Sequence, residues 1–372
     1  MLTPDEIDGF RVATSRIIDP VVEYLLKDIA KRIQGAGKLT TTAAYDAWRL
    51  EWMGKGRREM EAELARLLGV SRAKAQKLLK DAAAHGYELT RAQLPHAPTF
   101  EANAGLQQIV AAAVTLAGEQ LQNITRTRAI GMVSPSGQLV PLADAYHECC
   151  DFAFKQVITG AADYNTAIRQ ACSGIVKHGV QVTYESGVHT TMEAAVRRNI
   201  MGGLGLMTEQ IEEYNHDSLG CDGWELSAHA NSAPDHEPIQ GKQYPDAEYQ
   251  ALNNSLVRRI GTLNCGHIAF PIILGVNAPQ YTAEQLRKFR DDNAKGVTYG
   301  GRHYTGYEAT QKQRQIERAI RAQKRRMIMA SPEDMQAAKT RLQVLKQGYK
   351  RFSAGVGLRT EEERLEVSGF EL

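Results

Sequence analysis

The residues best suited to chemistry lie in two neighbouring stretches, WELSAHANSAPDHEPIQGKQYP at 224–245 and LNCGHIAFP at 263–271. Together they supply His229, Asp235, His236, Cys265 and His267, and elsewhere only His216 and Cys221 come near such a grouping. One thiolate and three imidazoles form a set that Zn²⁺ accepts in a closed tetrahedron, so His229, His236, Cys265 and His267 are the candidate ligands and zinc the candidate cofactor. WELSAH alternates as a strand would and IQGKQY reads as a tight turn, which lets the Cys-X-His pair close back onto the earlier histidines. So small a sheet has little core, and a metal would contribute much of its stability. The spacings His-X6-His and Cys-X-His are not zinc signatures, however, and the same residues could cap turns and bond to backbone, with Asp235 orienting one imidazole. Catalysis would need an open coordination position and a general base; Asp235 and Glu237 are the nearby carboxylates, which makes a zinc-dependent hydrolase or nuclease a rival reading. No nucleophile elbow, P-loop or dinucleotide-binding glycine set occurs, and no catalytic or organic-cofactor residue is assigned.

Two further segments could meet nucleic acid. In ELARLLGVSRAKAQKLLKDA (63–82), Leu64, Leu67 and Leu68 make an apolar face, Gly69 supplies a turn and Ser71 an N-cap for a helix with Leu78 and Leu79. As a helix-turn-helix, this would put Arg72, Lys74 and Lys77 on phosphates and Gln76 on a base edge; a plain helical hairpin satisfies the same residues. Between 312 and 326 stand Lys312, Arg314, Arg318, Arg321, Lys324, Arg325 and Arg326 against Glu317 alone, a candidate surface for DNA phosphates or simply a solvated helical face. Beyond it, Met335, Ala338, Leu342, Leu345 and Tyr349 are spaced as a helix seam for a partner.

The elements that must hold these residues are mostly helices. Val22, Leu25, Leu26, Ile29 and Ile33 follow the helical period until Gly35 and Gly37, and a second helical region spans about 42–86. Residues 88–103, with Pro95 and Pro98, read as a linker. Helices are expected near 104–126, 143–158 and 164–178, separated by a turn-rich break at 134–143. VQVTY (180–184) reads as a strand ending at Ser186-Gly187, after which Thr190 and Glu193 suggest a capping box for a helix through Met207, weakened or closely approached at Gly202, Gly203 and Gly205. A helix near 282–294, a loop at 296–307, helix from 310 to 352 broken at Ser331-Pro332, and twenty loosely patterned final residues complete the chain.

Composition agrees with that outline. The 372 residues include 45 Lys+Arg and 43 Asp+Glu, a formal charge of +2, so any nucleic-acid contact must be local. Hydrophobic residues at 43% and charged residues at 24% are globular values, and 7% aromatics suit helices better than a sandwich. The acidic start MLTPDEIDGF lacks a signal-peptide pattern and no window approaches a membrane span, which points to synthesis and retention in a cytosol without membrane association. Cys149, Cys150, Cys172, Cys221 and Cys265 form an odd, irregular set that fits a reducing compartment.

Several of these motifs, in this order, resemble the phage minor capsid protein 2 family, itself similar to the Mu F-like head morphogenesis proteins. The resemblance rests on Ser186-Gly187, the Ala195-Val196-Arg197-Arg198 run, Ser227-Ala228-His229, Asp235-His236, Gln240-Gly241, Asn264-Cys265 and His267. It also touches LQNITRTRA (121–129) and DYNTAIRQA (163–171), covering about 105–275. Family members often carry Arg where this chain has Ala233 and Gly266. The resemblance implies a structural protein of a tailed-phage head, near the portal, with the portal and major capsid proteins as partners and packaged DNA as a non-specific phosphate contact. It also implies residence in the virion, with the host cytoplasm as assembly site, and no enzymatic activity. The expected fold is α+β, predominantly α-helical with a small β unit bearing the His/Cys cluster in the C-terminal half. Its expected units are a helical N-terminal region for docking (1–100), a helical central block (101–212), the β unit (213–280) and a basic helical tail (281–372).

Overall fold

A computed structural model describes residues 4–37, 42–51, 56–91, 98–124, 130–184, 186–262, 265–330, 332–367 and 370. The fold is predominantly helical, as the patterning predicts, and the described residues form three small antiparallel sheets where one β unit is expected. Helices α1 (Pro4–Arg16), α2 (Asp19–Gly37), α3 (Thr42–Glu51), α4 (Arg57–Arg91) and α5 (Ala104–Ile124) come first, with a 3₁₀ turn at Phe100–Ala102. The hairpin β1 (Ile130–Val133)–β2 (Leu139–Pro141) then leads into α6 (Leu142–Ile158) and α7 (Tyr164–His178). Strands β3 (Gln181–Thr183) and β4 (His189–Thr191) complete a four-stranded sheet in the order β2-β1-β3-β4.

Helix α8 (Met192–Leu219) is the central element, packed on α1, α4 and α5. Its N-cap is Thr191, whose hydroxyl accepts the amide of Ala194, rather than the expected Thr190. Glu193 is therefore free of capping duty, and its carboxylate binds Arg325 at 2.7 Å and Arg321 at 3.1 Å. The glycine-rich stretch does not interrupt the helix. Gly205 instead admits another backbone, because a β-carbon there would stand 1.6 Å from the carbonyl oxygen of Gly261.

The expected helix-turn-helix is a single 35-residue helix, α4. Gly69 costs roughly 1 kcal/mol relative to Ala within a helix, less than the packing of Leu64, Ala75 and Leu79 on either side returns. Ser71 is buried, its hydroxyl donating to the carbonyl of Ile17 at 2.9 Å, and Arg72 donates to Gln122. No turn exposes a recognition helix here.

One apolar cluster runs from Ile7 through Ile211, so residues of the two expected helical regions share a core. Ile18, just before α2, and Val21, Val22, Leu25, Leu26 and Ile29 within it are all buried in this cluster, while the Ile33 side chain lies outside the described residues. The second sheet, in the order β6-β5-β7, is built from β5 (Gly223–Leu226), β6 (Gln243–Pro245) and β7 (Ala269–Ile272), with α9 (Asp246–Ser255) against it.

After α10 (Ala283–Lys295), the expected loop at 296–307 is a hairpin, β8 (Val297–Tyr299) and β9 (Arg302–Tyr304). Gly300 and Gly301 take positive φ at its turn. Helices α11 (Gly306–Ile328) and α12 (Pro332–Gly355) then pair with each other. The seam of Leu342 and Tyr349, flanked by Met335, Ala338 and Leu345, packs on Ile320 and Met327 of α11, so its partner is internal. Among the described residues near the C-terminus, a 3₁₀ turn at Glu362–Leu365 buries Leu365 in the same cluster. Among the described residues, no helix is long and apolar enough to cross a membrane.

Candidate metal centre

The His/Cys residues are positioned by β5 and the two loops that flank it. All four residues of β5 are buried between β6 and β7. Beyond Leu226 the strand's pairing continues through Ser227, whose amide donates to Ile268 and whose hydroxyl accepts from it. This carries the chain toward His229. A helical turn follows, in which the amides of His236 and Glu237 both donate to Ala233 and that of Gln240 to His236, and Gly241 closes it at φ 68°. Cys265 is fixed by its amide bond to the Thr262 carbonyl at 2.7 Å.

These loops bring His236, Cys265 and His267 together, all buried, with one ligand atom from each within 4.8 Å of the others. The two Nδ1 atoms are 3.3 Å apart, and Cys265 Sγ lies 3.2 Å from His236 Nδ1 and 3.5 Å from His267 Nδ1. This group could hold a metal ion. His229, the fourth expected ligand, stands beside it: its ring stacks on His267 at 4.4 Å between centroids, and its Nδ1 donates to the adjacent Ala230 carbonyl.

Outer contacts orient the ligands. His236 Nε2 donates to the Arg258 carbonyl at 2.8 Å, and His267 Nε2 to Gln240 Oε1 at 3.0 Å. The orienting group for His236 is thus a backbone carbonyl and not Asp235, which lies 3.7 Å away and binds Arg258 at 2.6 Å. Glu237, the other carboxylate considered as a base, accepts from Asn293 at 2.6 Å. Sequence reasoning found Gln240 as part of a motif but not its role, and Arg258 carried no local signal.

The electrostatics lower the Cys265 thiol. Burial alone would push Cys265 up, but hydrogen bonding and charge from His236, with the amides of His267 and Gly261, outweigh it and hold the thiol below its ordinary range. Burial would lower His236, yet Cys265, the Arg258 carbonyl and Asp235 raise it. His267 is driven down to about 2, first by burial and then by the charges of His229, His236, Arg258 and Arg11, and so remains neutral. Cys149 and Cys150 differ: buried in α6, they are pushed up by desolvation, Cys149 to about 12, and are inert thiols. The Cys172 side chain lies outside the described residues.

The metal group also borders a cationic cleft of about 600 Å³ between α1, α8, α11 and the β unit. Its lining includes ten arginines and lysines against five carboxylates. Burial and the like charges of Arg321, Arg11 and Arg318, against the one carboxylate of Glu193, pull Arg197 below the ordinary arginine range. Gly266 opens onto this cleft, where a β-carbon would stand 3.2 Å from both Arg11 Nη2 and His229 Nε2.

The seven basic residues expected at a DNA surface divide in two. Arg321 and Arg325 are bound to Glu193, Arg325 also faces Asp19 at 3.8 Å, and the buried Lys324 ammonium sits over the Phe370 ring at 5.4 Å. These three hold α11 to the body, because each pairs inside the fold. Lys312, Arg314, Arg318 and Arg326 remain on partly or fully accessible faces, and Arg314 and Arg318 line the cleft.

No curated protein and no solved structure matches the chain. A family model described as Phage minor capsid protein 2 matches residues 2–353, nearly the whole length. It spans the N-terminal helices, the central block, the His/Cys unit and the α11–α12 pair, and so the chain belongs to the phage minor capsid protein 2 family.

Proposed function

We propose that this chain is a minor structural component of a tailed-phage head at the portal vertex, touching the portal and major capsid proteins and retaining or guiding packaged DNA through phosphate contacts. Family membership supports the head role. The observation that carries the DNA contact is the cleft, where cations exceed carboxylates two to one and Arg11 and Arg197 join Arg314 and Arg318 of the basic helix. Such a surface meets phosphate through charge and reads no base. In this reading the His/Cys group is a staple for the small β unit and is not a reaction centre.

Binding of an arbitrary DNA duplex by the purified chain is therefore expected to be insensitive to sequence and to fall steeply with salt. Arg314→Glu with Arg318→Glu should weaken it and flatten the dependence of log K on log salt by about two contacts' worth. Base-specific binding that survives this double substitution would exclude the cleft. Proteomic analysis of intact heads tests location: the chain is expected in sub-stoichiometric amounts with the portal, and its absence from particles would exclude the assignment to the vertex.

A further inference from the structure

The geometry points to a mononuclear Zn²⁺ site with three protein ligands, His236 Nδ1, Cys265 Sγ and His267 Nδ1, leaving the fourth position to a non-protein ligand. This deepens the staple role proposed above by naming the metal, the ligand atoms and the ligand number.

The first argument is one of lone pairs. His236 Nε2 faces the Arg258 carbonyl, which can only accept, so that nitrogen carries a hydrogen. Gln240 Oε1 accepts the amide hydrogen of His229, which identifies it as oxygen, and the same oxygen faces His267 Nε2. His267 Nε2 therefore also carries a hydrogen. In neutral imidazoles both Nδ1 atoms are then bare acceptors, and they face each other at 3.3 Å with a sulfur 3.2 and 3.5 Å away. One thiol hydrogen, or one hydrogen on His236, cannot serve both remaining acceptors at once. A cation at the centre serves all three.

The second argument is one of size. Tetrahedral zinc, with Zn–N of about 2.0–2.1 Å and Zn–S of about 2.3 Å, separates two nitrogen ligands by about 3.3 Å and nitrogen from sulfur by about 3.6 Å. The three observed separations match those edges to within a few tenths of an ångström. The surroundings match as well. Each imidazole donates its outer N–H to an oxygen, and the His267 amide donates to the sulfur at 3.4 Å, the pattern that orients metal ligands and stabilises a thiolate. The mixed nitrogen and sulfur donors favour zinc over magnesium or calcium, which take oxygen.

His229 is not part of this set. Its Nδ1 is committed to Ala230, its ring lies flat against His267, and neither of its nitrogens falls within the cluster. A metal would tie the 233–241 turn to the 265–267 loop, two segments whose strands run only three or four residues.

The test uses the purified full chain, stripped with a chelator and titrated with Zn²⁺ or Co²⁺ alone. About one ion per chain should bind, Zn²⁺ should raise the melting temperature, and the Co²⁺ form should show thiolate-to-cobalt charge-transfer absorption. Cys265→Ser should abolish that band, and His236→Ala and His267→Ala should each weaken Co²⁺ binding at least about tenfold. His229→Ala should keep both the band and the stoichiometry. No saturable uptake by the wild-type chain would overturn the site, and this holds even if the ligand variants fail to fold. A band lost equally in His229→Ala, with near-ultraviolet dichroism of a folded protein retained, would overturn the three-ligand assignment. Metal content is read on the isolated chain, so a chain that binds zinc but is missing from heads refutes the head reading and leaves this one standing.

Discussion

In the helical body, apolar side chains from Ile7 to Ile211 form one continuous cluster, so loss of any single contact is shared among many neighbours. In the His/Cys unit, the corresponding cluster comprises Trp224, Leu226, Tyr249, Ile260, Cys265 and Ala269, and one of these six is itself a candidate ligand. The body can be stabilised by burial alone, at about 25 cal/mol per Å² of apolar surface. The small unit cannot, and it substitutes a network in which His236, His267, Gln240 and the Arg258 carbonyl satisfy one another. The contrast is between many interchangeable contacts and a few that each need a specific partner.

The largest effect is expected where the body itself depends on a specific polar hub. Glu193 is buried between Arg321 and Arg325, and Glu193→Gln removes the charge they share, leaving Arg325 with Asp19 at 3.8 Å and Arg321 with the Arg364 carbonyl, which should cost about 4 kcal/mol in urea denaturation. The loss should fall on α11 docking while Trp224 keeps its near-ultraviolet signal. A loss below about 1 kcal/mol would mean that the body treats this pair like any exposed one.

The next effect lies at the seam between the two regions. Glu212 of α8 is buried beside Trp224 and Tyr249, and desolvation pushes its carboxyl up to about 7, with Asn215 only partly opposing. The folded state thus holds a proton that the unfolded chain releases near the ordinary glutamate value. Stability should fall as pH rises from about 4.5 to above 7 and stay low thereafter, a penalty of at most about 3 kcal/mol. Glu212→Gln should remove that slope and be the more stable protein at pH 8. An unchanged slope would show that Glu212 is solvated.

A smaller, more local effect is expected at the contact of Gly205 with Gly261. Gly205→Ala forces a β-carbon into the Gly261 carbonyl, and the 259–262 loop must retreat at a cost of roughly 2 kcal/mol. Hydrogen exchange should speed up in that loop and near Cys265 while α2 stays protected. Protection lost evenly across the chain would mean that the two regions unfold as one.

Most of the helices were legible because their apolar period is strong. Residues 164–178 are helical as the pattern predicts, and α12 begins at Pro332, where proline lacks the amide and clashes with a preceding turn, while Ser331 lies outside the described residues. Misreadings occur where local signals compete with packing. Gly69 and Ser71 together spell a turn, yet the long faces of α4 bury enough surface to run through them. The spacing of Met335 to Tyr349 announced a seam, but a sequence carries no statement of whose surface fills it.

The candidate metal centre divides along the same line. Residue types were sufficient to single out His236, Cys265 and His267, because thiol and imidazole groups rarely gather without chemical reason and lie within two short stretches. That His229 stands aside shows only in the folded chain, where its Nδ1 donates to the Ala230 carbonyl and its ring stacks on His267. The arginines of the cleft come from α1, α8, α11, the 256–262 loop and the 3₁₀ turn at Glu362–Leu365, and their convergence follows from how these elements pack. Periodicity is written into neighbouring residues and survives in the bare sequence; the meeting of Arg11 with Gly266, or of Glu193 with Arg325, joins positions more than a hundred residues apart and exists only once the core has closed.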